Sequence, residues 1–182
     1  MRTVRCCMKS LSSVAISLLG AGSLALGGAA SVRAATNPNP LHASAIQIQQ
    51  IQADEVKLPA EFQMSMYENV IEQVTKANRF QHVYRDGDHD AAAAPDLVTL
   101  HCTVTGFKQG SARERQVTTV AGETAITVHL EFTDKNGQKL IANDVQGKVR
   151  FLGENLRATY DFGKKVGAVV RQDFAAPPKG KK

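Results

Sequence analysis

Residues 97–107, LVTLHCTVTGF, decide the fold. Val98, Leu100, Cys102 and Val104 alternate with Thr99, His101, Thr103 and Thr105. Successive side chains of an extended chain point to opposite faces, so the segment predicts a strand with one apolar and one polar side. A sheet buried on both faces reads as an unbroken apolar run. Clean alternation instead predicts antiparallel pairing with one wetter face.

Beyond this strand the pattern repeats. Residues 117–120 begin a second β stretch, Gly122 marks a bulge or turn, and Ile126, Val128, Leu130 and Phe132 then alternate. Thr133-Asp134-Lys135-Asn136-Gly137 carries an Asn-Gly pair, which tolerates the positive φ angles of a tight hairpin. Val145, Gly147, Val149 and Phe151 line one side of a return strand, with Lys148 and Arg150 between them. Residues 97–151 thus predict a three-stranded antiparallel meander. The segment joining its first two strands, KQGSARERQ, reads as a polar loop.

N-terminal to the meander lie a helix and two short strands. Ile46, Ile48 and Ile51 predict a strand with glutamines facing away. A helix begins near Pro59, a residue tolerated at the first helical position because its missing N–H would go unpaired there anyway. Phe62, Met66, Tyr67, Val70, Ile71, Val74 and Ala77 make its apolar stripe, and Glu72 and Lys76 are ordered for an i,i+4 pair. Phe80, His82 and Tyr84 then alternate as a strand, and residues 85–96, RDGDHDAAAAPD, read as a charged turn. Asp86, Asp88, His89 and Asp90 offer metal-ligand atoms there. They lack the later bidentate Glu of a calcium loop and supply one imidazole, so no metal is expected.

A last helix spans 155–173, with Asn155 as N-cap and Leu156, Tyr160, Gly163, Val166, Gly167, Val170 and Phe174 as its stripe. Gly163 and Gly167 weaken helix propensity, which predicts close packing of that face on the sheet. The whole order predicts an α+β fold: a largely antiparallel sheet covered on one face by two helices. Its uncovered face would be rich in Thr and His.

The ends carry different information. Arg2, Arg5 and Lys9 precede an uncharged stretch over residues 10–30, and Val32-Arg33-Ala34 places small residues before a cut after Ala34. This is the pattern of a secretory signal peptide. Cys6 and Cys7 precede the apolar run and no Cys stands at the cut, so lipidation is not expected. Four of the 22 basic residues and none of the 17 acidic ones lie in residues 1–34, leaving 18 against 17 and a charge of +1. The formal +5 is therefore no nucleic-acid footprint. The expected organisation is a signal over 1–34, a flexible lead over 35–44, one domain over 45–175 and a disordered basic tail over 176–182. No membrane span is expected after cleavage. Cys102 would be the one cysteine of the mature protein, and its place in the apolar alternation predicts a buried thiol.

No catalytic motif appears, and no cofactor is expected. An enzyme reading rests on His129 as a base oriented by Glu131, with His101 nearby on the polar side of the sheet. That would serve a hydrolase. A binding reading uses the Thr-rich face with His101 and His129, together with Lys108, Arg113 and Arg115 in the polar loop. It predicts a protein or peptide partner of the cell envelope. Binding of a small ligand is the alternative.

The segments DEVKLPAEF, RFQHVYRDGD, PDLVTLHCTVTGFKQGS, RQVTTVAGETAITVHLEFTD and GENLRATYDFGKKV resemble an uncharacterised bacterial family of predicted envelope proteins, a domain of unknown function found behind lipoprotein or secretion signals. The resemblance spans roughly residues 45–174. More distantly, the order of elements is similar to the periplasmic α/β domain of the curli-export lipoprotein family. That likeness implies a helix-covered sheet, while the signal and the lack of a catalytic motif predict an exported, periplasmic or secreted, non-catalytic envelope interaction or accessory role. The likeness implies no catalytic residue and no pore.

Overall fold

A computed structural model describes residues 39–117, 122–150 and 154–177. The proposed signal, its cleavage site and most of the basic tail lie outside these residues. The strands are β1 (Ala45–Ile48), β2 (His82–Arg85), β3 (Leu97–Lys108), β4 (Thr124–Thr133) and β5 (Lys139–Val149). The helices are α1 (Ala60–Ala77), α2 (Ala112–Val117) and α3 (Arg157–Asp173). Among the described residues the strands form one sheet in the order β2-β1-β3-β4-β5.

The expected meander is present. β3 pairs antiparallel with β4, and β4 with β5. Cys102 lies opposite Leu130, and Val128 opposite Val145, so the apolar alternations of three strands share one face. The hairpin between β4 and β5 is closed by the Asp134 carboxylate, which accepts the backbone N–H groups of Asn136 and Gln138, both at 2.8 Å. Gly137 supplies the positive φ, +76°. These bonds, led by the one from Gln138, hold the Asp134 carboxyl below its ordinary value.

β1 brings in parallel pairing. It lies between β2 and β3 and runs parallel to both, so the sheet is mostly rather than wholly antiparallel. Parallel strands need a crossover, and crossovers are right-handed. α1 makes the one from β1 to β2. The next step, from β2 to β3, travels back across β1. The same handedness then sends residues 86–96 over the opposite face. This segment is not simply a loop: it holds a 3₁₀ turn, His89–Ala93, that buries Ala91.

α1 and α3 cover the apolar face. Phe62, Met66, Val70 and Val74 of α1 join Phe162, Val166 and Val170 of α3 in one core with Ile46, Ile48, Leu100, Leu130 and Phe132. Each such side chain is worth about 1.5–3 kcal/mol of burial. Phe174 closes the far end against Phe80 and Phe132, with ring centroids 5.0 and 5.4 Å away. α3 also seals part of the β5 edge. Asp161 accepts the Lys148 backbone N–H at 2.9 Å, and the Lys165 ammonium donates to the Gln146 carbonyl at 2.7 Å. Occupying these groups keeps them from pairing with a foreign strand.

Several expectations need correction. The two α3 glycines do not meet the sheet. A Cβ on Gly163 would stand 2.9 Å from the Asn69 carbonyl oxygen, and one on Gly167 3.0 Å from that of Gln73, so both mark the contact of α3 with α1. The glycine that α3 needs from the sheet is Gly147, where a Cβ would fall 2.6 Å from the Cβ of Phe162. Asn155 does not cap α3. The helix starts at Arg157 after Leu156, without a side-chain cap bond, because the Asn155 side-chain amide oxygen accepts from Arg115 and Thr124 instead. Pro59 precedes α1 as its cap residue.

Three further segments differ. The polar loop contains α2, which runs through Val117, and β4 begins only at Thr124; residues 118–121 lie outside the described residues. The lead is tied down at Leu41, whose N–H donates to Asp173 O at 2.8 Å and whose carbonyl accepts from Ala175 at 2.9 Å. β5 starts at Lys139, well before Val145, and Phe151 is outside the described residues.

Cys102 is fully buried, and burial pushes its thiol from 9.0 up to about 12. An unfolded chain ionises this thiol earlier, so its stabilising contribution is intact below about pH 9 and is lost as pH rises toward 12. At about pH 8, mass mapping after alkylation should find Cys102 unmodified in the folded protein and modified in denaturant. Modification at equal rates would contradict the burial. Gly147→Ala and Gly163→Ala should each destabilise by about 1–3 kcal/mol in urea melts, and Gly147→Ala by more. The helix-propensity gain of up to about 1 kcal/mol offsets only the α3 change.

Candidate functional site: the open face of the sheet

The face away from α1 and α3 is polar, as the alternation predicts. Register places Thr99, His101, Thr103 and Thr105 of β3 beside Thr127, His129, Glu131 and Thr133 of β4. Asp144, Gln146 and Lys148 of β5 continue it. At the other side Gln47 of β1 leads to Tyr84 of β2. A shift in register between Val104 and Gly106 absorbs one residue and turns Phe107 into the core, where it meets Phe62 edge-on at 5.0 Å.

Most polar groups over β3–β5 are matched to one another. His129 Nδ1 lies 2.7 Å from Asp144 Oδ1. Glu131 pairs with Lys139 at 2.6 Å. Gln146 donates to Thr127 Oγ1 at 3.2 Å. Thr133 Oγ1 and His101 Nε2 are 3.4 Å apart. The charges cancel locally, which suits a surface that presents shape and hydrogen-bonding groups rather than a strong field.

This arrangement removes the basis for the Glu131–His129 dyad. Asp144, which is 74% exposed, takes His129 instead. Lys139 holds the Glu131 carboxyl below the ordinary carboxylate range, first by its hydrogen bond and then by its charge. A carboxylate held that way is a poor proton acceptor. The hydroxyl opposite His129 in register, Thr103 Oγ1, donates to Gln52 Oε1 at 3.5 Å. Cys102 faces the core.

The basic cluster also divides. Lys108 pairs in register with Ala125, on the same face as Thr127 and His129, and Arg113 is exposed on α2. Arg115 is 5% exposed and is no surface residue. Its guanidinium donates to the Gly122 carbonyl, to Thr124 Oγ1 at 3.4 Å and to Asn155 Oδ1 at 2.8 Å. Thr124 Oγ1 donates to the same Asn155 oxygen at 2.9 Å. Arg115 thus joins α2, the start of β4 and the approach to α3. At the open end of that region Glu123 takes both Arg150, at 2.6 Å, and Lys148, at 3.7 Å.

Among the described residues no group of three or more His, Cys, Asp or Glu is placed to hold a metal ion. No helix among them is long and apolar enough to cross a membrane.

A family model described as a domain of unknown function, DUF4410, matches residues 21–153. The chain belongs to this DUF4410 family. No curated protein matches it. Among solved structures it is similar to two of the PelC dodecamer from Paraburkholderia phytofirmans. Each has 14% identity and a TM-score of 0.54, covering 78% and 77% of this chain and 95% and 96% of PelC. Similarity extends to the hypothetical protein CT253 from Chlamydia trachomatis, at 8% identity and a TM-score of 0.47 over 71% of this chain and 97% of that one. The expected membership of an uncharacterised family holds, and the distant likeness found, to PelC, is one of fold.

Arg115→Met should lower stability by about 1.5–3 kcal/mol, the range for hydrogen bonds to a charged group. Arg113→Met should change it by less than about 0.5 kcal/mol. Equal effects in chemical denaturation would remove Arg115 from the buried network.

Proposed function

We propose that the DUF4410 protein is an exported, non-catalytic accessory domain of the cell envelope that binds a protein or peptide partner through the open face of its sheet. The observation that carries the reading is the polar face over β3–β5, left uncovered while both long helices lie on the other side. Its paired charges and rows of threonine suit contact with another surface. Lys108 and Arg113 flank it as further contact residues, with His101 and His129 inside it. Arg115 supports the site from beneath rather than touching a partner.

His129 is held by the exposed Asp144 carboxylate, and the Thr103 hydroxyl opposite it is turned to Gln52, which favours binding over hydrolysis. Export, to the periplasm or beyond, is supported by the basic and apolar composition of residues 1–34 and the small residues at the proposed cut. PelC, which shares the fold, is a dodecamer, and this favours a role through assembly over one through catalysis.

In intact cells, a photocrosslinking amino acid in place of Thr105 should yield a defined adduct with one partner. The same group in place of Glu61, on the exposed side of α1, should not. N-terminal sequencing of the exported protein should begin at Ala35. Adducts of equal yield at both positions, or none at Thr105, would overturn the proposed face.

A further inference from the structure

The crossover from β2 to β3 does more than connect strands. Lying over the open face beside β1 and β2, it borders an open, solvent-facing pocket of about 450 Å³. Ser44, Gln81, His82, Tyr84 and Asp90 contribute its polar lining, and Ala93–Pro95 contribute an apolar rim. The volume falls in the range of small-molecule sites. This place is separate from the paired polar groups of β3–β5, and the inference does not rest on the partner-binding reading.

Its chemistry differs from the rest of the face. The rings of His82 and Tyr84 stack with centroids 5.9 Å apart and planes 20° from parallel. Ser44 Oγ is buried and has no hydrogen-bond partner. The backbone around it is fully engaged: the Ser44 carbonyl accepts from Gln81 at 2.8 Å, and its N–H donates to Asp96 O at 3.2 Å. A buried hydroxyl without a partner is destabilising, so this atom gains from any group that reaches it. Serine has a single χ1 torsion with three staggered positions, which lets the hydroxyl turn toward a ligand at small cost.

We propose that this pocket binds a neutral sugar ring. The lining holds no Lys or Arg, which disfavours an anion. Serine and tyrosine hydroxyls and the glutamine amide each both donate and accept, and the Asp90 carboxylate accepts. Such a set matches the hydroxyls of a polyol, which also do both. The aromatic pair offers negative π faces to the weakly positive C–H groups of a sugar ring. Ala93–Pro95 offer the ring an apolar edge on the side of the crossover.

The test is titration of the full chain, followed by amide chemical shifts, with glucose, galactose and N-acetylglucosamine. Each is offered as the free sugar and as a soluble oligosaccharide. The expected result is saturable shifts confined to residues 44, 81–84 and 90–95 with at least one of them. Tighter binding of the oligosaccharide than of the free sugar assigns the site to a polymer; equal binding assigns it to the monosaccharide. Tyr84→Ala and Asp90→Asn, on half-buried and exposed side chains, should each weaken binding by about tenfold with unchanged thermal unfolding. Absence of shifts at saturating sugar overturns the proposal. So does binding that survives both substitutions, or a preference for the anionic sugar glucuronate.

Discussion

Three elements of this fold meet at distances that no side chain permits. α3 touches α1 through Gly163 and Gly167, and touches β5 through Gly147. The contact with α1 is lined by a polar ladder: Ser65 Oγ lies 2.8 Å and Asn69 Nδ2 3.0 Å from Thr159 Oγ1, which donates in turn to Leu156 O. Because both helices fit side by side over one face, Phe62, Met66, Phe162 and Val166 all reach one core. The same fit leaves the opposite face without a helical cover. The candidate surface is thus a consequence of how the core is closed.

Handedness then divides that open face. A right-handed crossover through α1 places the helix on the core side, and the return step to β3 must pass on the other. Over β1 and β2 the face is bordered by the 3₁₀ segment and becomes an open pocket. Over β3–β5 it stays flat, and its charges pair across strands. One sheet therefore offers two kinds of surface. The difference comes from the direction in which the backbone travels, while the threonine rows belong to β3 and β4.

Much of this was legible in the sequence. The alternation at 97–107, the Asn-Gly turn and the apolar stripe of α1 identify their elements because each reflects a local backbone period. Gly163 and Gly167 announced a close approach but not its partner. The buried state of Cys102 followed from its place in the alternation. The Arg115 network did not, since an Arg in a polar segment looks like its neighbour Arg113. What separates them is which side of the one-and-a-half turns of α2 faces Gly122, Thr124 and Asn155, three residues that lie outside that helix.

The pairing of His129 shows the same boundary. Sequence places Glu131 on its face two residues away, whereas the β4–β5 register brings Asp144 directly opposite. A shift of two residues would present Ala142 or Gln146 instead. By itself, then, the sequence determined the meander, two covering helices, a polar second face and an apolar setting for Cys102, because these follow from side-chain periodicity. Only the tertiary structure decided the central place of β1, the partners of the glycines, the burial of Arg115 and the open pocket beside the crossover. These depend on contacts between distant segments and on the handedness of their connection, neither of which a local pattern encodes.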